Sequence, residues 1–525
     1  MNLTFTPIKP QTLLDGSTVY YRDAYATPEF WAFWQHNKLA LNNQGIKIFK
    51  EQDASGNNVW KVRQLLTKPN DKYIPLPTTP YLMEKSDKLK PHQIPACEAI
   101  ITSQITNGFS IDASDTGTGK TYMGLAMALE LGYRPGIVCT KTGIVDWKRV
   151  CDYFKISPLF ICNWESIRSN IFPFCNRKKD NFSGEYVYEW NIPKSSKIIL
   201  LFDELHRAAG KDTQNKRIVL AAKDRKYRLH VMSATMADKM QKIETLGILI
   251  GLFTKETFPN WLRARGLIMD SKNNWRSLNE LEDMLSINKI LFPNFGARLR
   301  KVEIPGFPKV QNIARLYELP NVKGQNDLYK KIYEQIKEAK AKGDQSKRLV
   351  LQLRYRQLTE LKKVSLLTDL TKEYMSEGYS VAIFVNFQET LDLLCEKLKT
   401  KAAVHGKQVG KKGEAERRKS LDDFQANKVR KIVLNISAGG TGVNLHDIHG
   451  GHPRVSLICP TWNATELVQV LGRAHREGAL SPAMNVLVYA SGTIEEKVYE
   501  NVVPKIQNIH ALNDGDLADF NFEDE

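Results

Sequence analysis

Two parallel α/β units in one chain are what the sequence predicts, and three observations carry that reading. Between about 90 and 240, short apolar runs such as 136–139 and 198–202 alternate with helical stretches such as 122–131. The alternation returns between 366 and 500, with strands expected at 381–385, 432–434 and 455–458. These runs are short and continuously apolar, as strands buried on both faces of a parallel sheet must be. No internal repeat is visible in the residues, so the duplication is expected in structure only.

The first 85 residues differ from the rest, being rich in aromatics and Asn. Residues 46–49 alternate in strand fashion, 53–58 supply turn residues and 59–62 alternate again. A hairpin is therefore expected within a small accessory β or α+β module over 1–85. Pro75, Pro77, Pro80 and Pro91 mark the linker that follows. The first α/β unit is expected over 86–240. From 241 to 365 strand signals thin out and 324–363 is charged with helical spacing, so this stretch reads as a helical insertion. The second unit is expected over 366–500. The remaining segment, 501–525, ends in a tail (514–525) with six acidic residues and no basic one. Such a tail is either a disordered solubilising end or a cover for a basic groove.

Composition bounds the partners. A chain of 525 residues is long enough for several cores without disulfide staples. Hydrophobic residues at 42% and charged residues at 25% exclude disorder as the dominant state. The formal net charge of +17 favours a polyanionic partner, most simply nucleic acid, although charge alone does not separate DNA, RNA and anionic membrane. With no apolar run of about 18 residues, no membrane-spanning helix is expected. The opening residues lack the apolar stretch of a signal peptide, so an intracellular, non-secreted protein is expected. Seven scattered cysteines without a CxxC pair argue against zinc and suit a reducing compartment.

The strongest local signal is Ser114-Asp-Thr-Gly-Thr-Gly-Lys-Thr121, after an apolar stretch and opening a helix. A phosphate cradle needs glycines so that backbone N–H groups can wrap the anion, a lysine for the β- and γ-phosphates, and a hydroxyl for Mg²⁺. Gly117, Gly119, Lys120 and Thr121 supply these, and Thr118 completes the loop. A Gly-rich turn before a helix is the plain alternative. Asp203 and Glu204 then end an apolar strand, where two adjacent carboxylates are costly unless a cation or a reaction compensates. Asp203 can hold Mg²⁺ and Glu204 can orient and deprotonate an attacking water. In Gln469-Val-Leu-Gly-Arg-Ala-His-Arg476, Arg473 and Arg476 share one helical face and can stabilise γ-phosphate charge; alone, such a pair reads as structural.

In this order the motifs resemble the superfamily-two helicase-like ATPases, most closely the SWI/SNF-type DNA translocases. The resemblance runs from about 88 to 500. Leu89-Lys-Pro-His-Gln93 is similar to the segment whose glutamine reads adenine. Residues 137–141, followed by Trp147, are similar to the strand after the loop, and 163–168 to a DNA-contacting segment. Asp203-Glu-Leu-His206 resembles the DExH box, Ser233-Ala-Thr235 the coupling motif, and 437–445 and 469–476 the last two motifs. The Arg-x-His-Arg pattern, Ile494-Glu-Glu-Lys-Val498, and a basic stretch at 298–302 before Pro305-Gly-Phe-Pro-Lys309 point to the SWI/SNF branch. Ser114, Leu205 and Ala479 depart from the usual pattern and mark a divergent member, viral or from a mobile element.

The resemblance implies two RecA-like lobes flanking a cleft that takes ATP and Mg²⁺. It implies that Gln93 reads adenine, that Thr121 and Asp203 bind the metal, and that Lys120, Asp203, Glu204, Arg473 and Arg476 act on the phosphates. His206, Ser233, Thr235 and Gln469 would couple hydrolysis to lobe movement. Lys141, Arg168, Ser437 and Thr441 would track DNA, duplex or forked, through its phosphates. The leading expectation is a duplex-stimulated ATPase that translocates. The alternatives are a fork-remodelling, branch-migrating or annealing helicase, to whose accessory module the 45–62 hairpin bears a faint resemblance, an RNA helicase, and a non-catalytic DNA-binding scaffold. No protein partner is implied.

Overall fold

The computed structural model describes residues 9–12, 18–25, 46–52, 58–66, 81, 83, 87–514 and 523–524, apart from 182, 194–196, 211–212, 270–274, 278, 309, 320–324, 343 and 440–442. Near the N-terminus, β1 (Lys9–Thr12), β2 (Thr18–Tyr25), β3 (Ile46–Gln52) and β4 (Asn58–Leu66) form an antiparallel sheet in the order β1-β2-β4-β3. The arms of the expected hairpin are β3 and β4; its turn at 53–57 lies outside the described residues. Asp23 and Arg63 stand opposite each other on β2 and β4 and pair bidentately at 2.8 and 2.9 Å. A charge pair at facing positions helps to fix the register.

The strands that follow are β5 (Phe109–Asp112), β6 (Arg134–Cys139), β7 (Phe160–Asn163), the antiparallel hairpin β8 (Cys175–Lys179) and β9 (Tyr186–Trp190), β10 (Ile198–Asp203), β11 (Arg228–Met232), the short pair β12 (Ile268–Met269) and β13 (Trp275–Arg276), and β14 (Gly296–Ala297). Six of these make a parallel sheet in the order β14-β5-β11-β10-β6-β7. Successive residues of its central strands serve opposite faces. Ile137, Cys139, Ile199 and Leu201 belong to the core shared with the helices Gln93–Asn107, Lys120–Glu130 and Gly143–Phe154. Val138, Leu200 and Phe202 belong to the other core, with the helices Gln214–Asp224 and Glu280–Leu291 and the rings of Trp164 and Trp190. Continuous apolar runs follow from this two-sided burial.

The second parallel sheet has the order β17-β18-β16-β19-β20-β15-β21. Its strands are β15 (Val310–Tyr317), β16 (Ser380–Val385), β17 (Ala403–Val404), β18 (Lys431–Asn435), β19 (Arg454–Ile458), β20 (Ala483–Ala490) and β21 (Glu523–Asp524). It too has a core on each face. The stretch 241–365 is helical at Gln325–Ala341 and Gln345–Lys362, which pack together around Ile332, Ala339, Leu351 and Tyr355. It also supplies four strands that the helical reading passed over, the short pair β12 and β13 and the two sheet strands β14 and β15. β14 is two residues long, and β15 is half exposed with Arg315 and Asn312 breaking its apolar pattern. Each joins a different sheet, so the chain between them crosses from one half to the other. The helix Ile494–Asp514 returns onto the helix Glu280–Leu291 of the first half. Of the acidic tail, 515–522 and 525 lie outside the described residues, and β21 pairs with Ile313 and Ala314.

Among the described residues no helix is long and apolar enough to cross a membrane, and no three His, Cys, Asp or Glu side chains gather as a metal site. The seven cysteines are free thiols, six of them buried. Phe384 on β16 is fully buried. Phe384→Ala is expected to destabilise the second half by about 3–5 kcal/mol, read as a fall in the urea midpoint of that half's transition.

Candidate functional site

The loop between β5 and the helix Lys120–Glu130 forms the floor of the site. Gly117 and Gly119 have φ of +84° and +96°, a left-handed backbone that side chains with a Cβ resist. The Lys120 ammonium curls back over the loop and donates to the carbonyls of Ser114 and Asp115 at 2.7 and 2.9 Å. Burial pushes its pKa down, and Asp112, Glu204 and Asp203 pull it back up. The Gln93 carboxamide is buried against Gly119, donates to the Thr118 carbonyl at 2.9 Å and accepts the Lys90 N–H at 3.0 Å. It therefore braces the loop, whatever it does toward a base.

The two carboxylates sit at the end of β10. Asp203 accepts the Trp147 indole N–H at 3.1 Å, and its carbonyl accepts that of Trp164 at 3.3 Å. Burial and the adjacent Glu204 push the Asp203 carboxyl up. Glu204 has φ +59°, an uncommon conformation for a residue with a side chain. Burial also works against its charge, but the hydrogen bond and charge of His206, with Lys120 and Arg473, hold its carboxyl down. His206 is a junction. Its Nδ1 lies 3.2 Å from Glu204, 3.1 Å from the Ser233 hydroxyl and 3.4 Å from that of Thr235. Gln469, from the second half, reaches both Glu204 and His206 at 3.3 Å.

The second half closes the site through the segment after the helix Ala464–Leu471, so Arg473 and Arg476 lie beyond the helix end at Gly472 and not on the one helical face expected for them. A Cβ at Gly117 would meet the Arg476 side chain at 2.9 Å, and one at Gly472 would overlap the Thr116 hydroxyl. Both glycines are thus at points of close approach between the halves. Arg473 is buried and donates to the Val443 carbonyl at 3.4 Å. A cleft of about 630 Å³ results, lined by Gln93, Lys120, Thr121, Asp203, Arg473 and Arg476 among others. A smaller cavity of about 270 Å³ lies beside it, lined by His206, Gln469 and Ser437 among others.

The four expected nucleic-acid contacts are less convergent. Lys141 is paired with Glu414 of the second half at 2.7 Å. Arg168 pairs with Glu165 at 2.9 Å, and its carbonyl accepts from Arg177. Ser437 is exposed and donates to Asn435 at 2.6 Å. Thr441 lies outside the described residues. Reading the sequence missed the supports of the loop. The Asp112 carboxylate accepts the Ser114 N–H at 2.9 Å. Asp115 pairs with Arg298 at 2.8 Å and accepts the Lys301 N–H at 3.0 Å. The signals were present as an acid inside the glycine loop and a basic run at 298–302, but nothing local joins them.

A glycine loop and paired carboxylates on one parallel sheet, faced by two arginines from another, define a two-lobed helicase-like fold. Residues 362–478 match the family described as the helicase conserved C-terminal domain. Over 471 residues the chain is 30% identical to a protein of Acanthamoeba polyphaga mimivirus provisionally named an ATP-dependent RNA helicase, covering 84% of this chain and 86% of that one. It is 23% identical over 342 residues to the chromatin-remodeling factor PICKLE of Arabidopsis thaliana, covering 60% of this chain and 24% of that one. With a chromatin remodeling factor of Schizosaccharomyces pombe the identity is 21% over 490 residues, covering 82% and 33%. The chain belongs to the superfamily-two helicase-like ATPases, with SWI/SNF-type similarity.

Gly472→Ala is expected to part the two halves at Thr116. Fluorophores on the two halves should then report a longer mean separation, and adding Thr116→Gly should restore the original distance.

Proposed function

We propose that the chain is an ATP-dependent DNA translocase that hydrolyses ATP in the cleft between its lobes and tracks duplex DNA through backbone phosphates. The observation that carries this reading is the meeting of Lys120, Asp203 and Glu204 from one half with Arg473 and Arg476 from the other in one cleft. Lys120 exchanges its loop carbonyls for the β- and γ-phosphates. Glu204, kept ionised by His206, orients the attacking water and accepts its proton. Arg473 and Arg476 stabilise charge on the transferred phosphoryl group only when the halves are closed. Gln469, touching Glu204 and His206, links that base to the second half, and Ser233 and Thr235 extend the link into the first.

Thr121 and Asp203 offer a hydroxyl and a carboxylate on the same cleft, hard oxygens that fit Mg²⁺. Desolvation and the adjacent Glu204 both raise the Asp203 carboxyl, and a cation bound there would offset both. Mg²⁺, when bound, would neutralise phosphate charge. Lys141, Arg168, Ser437 and Thr441 are assigned to the phosphates of the nucleic acid, with Lys141 exchanging Glu414 for a phosphate. In this reading 86–240 and 366–500 are the motor lobes, 1–85 is an accessory module, 241–365 is the insertion that also supplies β14 and β15, and 501–525 closes the chain. The setting is inside a cell, in a nucleus or in a prokaryotic or infected cytoplasm. A second reading, RNA-stimulated hydrolysis, is favoured by the name of the mimivirus relative, which covers most of both chains.

The test is steady-state ATP hydrolysis at fixed low salt with no nucleic acid, single-stranded DNA, blunt duplex, forked duplex and structured RNA. Blunt duplex is expected to stimulate most, and its binding to weaken steeply with added salt. Stimulation by forks alone would move the assignment to a remodelling helicase, and by RNA alone to the second reading. Glu204→Gln is expected to lower kcat by about 10²–10⁴-fold with KM for ATP little changed. Hydrolysis that survives this substitution would remove Glu204 from the chemistry.

A further inference from the structure

The chain from β14 to β15 leaves one sheet and enters the other, and on its way it grips both sides of the cleft. On the first side it is stitched to the glycine loop. Arg298 pairs with Asp115 at 2.8 Å and donates to the Ala113 carbonyl at 2.6 Å. The Leu299 N–H donates to the Ser114 hydroxyl at 3.1 Å, and its carbonyl accepts the Asp115 N–H at 3.0 Å. The Lys301 N–H completes the set on the second oxygen of Asp115. On the other side the same chain holds His475, which lies between Arg473 and Arg476. The Lys301 ammonium donates to the His475 carbonyl at 3.2 Å. The Phe307 ring meets the imidazole edge-on at 4.9 Å, and His475 Nε2 lies 2.7 Å from the Pro308 carbonyl. Lys301 is thus the residue whose backbone touches the loop and whose side chain touches the arginine segment.

We propose that Lys301 is a positioning residue, tying the seat of the phosphate loop at Asp115 to the placement of Arg473 and Arg476 through His475. The proposal rests on the ATPase reading above and adds to it a mechanical link that follows the covalent chain. Lys301 is not among the residues that line the cleft; it acts through its neighbours. Its ammonium is desolvated, which pushes it down to about 8 against the pull of Asp115, so its hydrogen bond to the His475 carbonyl is made where water does not compete. Removing the ammonium leaves that carbonyl without its donor and frees the segment carrying both arginines. Nucleotide binding, held by Lys120 and the loop backbone, keeps its Arg298 support.

The test compares wild type, Lys301→Met, Lys301→Arg and Asp115→Asn for nucleic-acid-stimulated ATP hydrolysis and for direct binding of a fluorescent ATP analogue. Lys301→Met is expected to lower kcat by about tenfold or more while KM and analogue affinity stay within about twofold, the signature of an interaction made in the transition state. Lys301→Arg, which keeps a donor, should recover most of the rate. Lys301→Met combined with Asp115→Asn should lose less than the product of the two single effects, as coupled residues do. Should Lys301→Met fail to fold by circular dichroism, Phe307→Ala, which removes the ring packed on the same histidine, is read for the same fall in kcat at unchanged KM. Wild-type turnover in Lys301→Met, or a raised KM with unchanged kcat, overturns the proposal while leaving the ATPase reading intact. A wild-type protein that hydrolyses no ATP under any condition overturns both.

Discussion

Lys120, Asp203 and Glu204, all half-buried, and the buried Arg473 meet in a single cleft, and that concentration of charge governs what surrounds it. A buried ion costs several kcal/mol unless a partner and hydrogen bonds compensate. Here each cation is set against the carboxylates, and the remaining atoms are met by named donors, the Trp147 indole for Asp203 and His206 for Glu204. The compensation is shared between halves of the molecule. Arg473 comes from the second sheet's side and acts on a carboxylate that ends a strand of the first. Separation of the halves would therefore leave the carboxylates short of positive charge, so the chemistry of the cleft and the closeness of the lobes are one problem.

Close approach answers it. Gly117 and Gly472 let loop and helix end touch, and the helix Ile494–Asp514 returns to pack on the first half. The exposed pairs that also span the halves, Lys141 with Glu414 and Lys90 with Glu477, are of another kind. Solvent and salt screen such pairs, and they hold the halves together only weakly. They suit a contact that must be made and broken, while the buried contacts decide which arrangement is made.

Both sheets were legible in the sequence because strands buried on two faces carry continuous apolar runs, and the glycine loop because its φ values admit little but glycine. Asp203 and Glu204 were legible as charge where charge is costly, Arg473 and Arg476 only through the resemblance of their motif, and all four line one cleft. β14 and β15 were not, since two residues carry no period and a half-exposed strand beside a helical stretch carries a broken one. Gln93 shows a different limit. The sequence offers a glutamine in the right place, but only the fold shows its carboxamide committed to Thr118 and Lys90. The partnership of Asp115 with Arg298 joins residues more than 180 positions apart, and no local pattern encodes it.

The backbone at Glu204 carries a consequence for the evolution of the chain. A left-handed conformation is held there by a residue that pays for it, by about 1–3 kcal/mol, and glycine or asparagine would relieve that strain. Either exchange would also delete the carboxylate that His206, Lys120 and Arg473 face, so the gain in the backbone is set against a lost counter-charge. Substitution at this position therefore exchanges backbone strain for unpaired charge, and glutamate persists where the second cost is the larger.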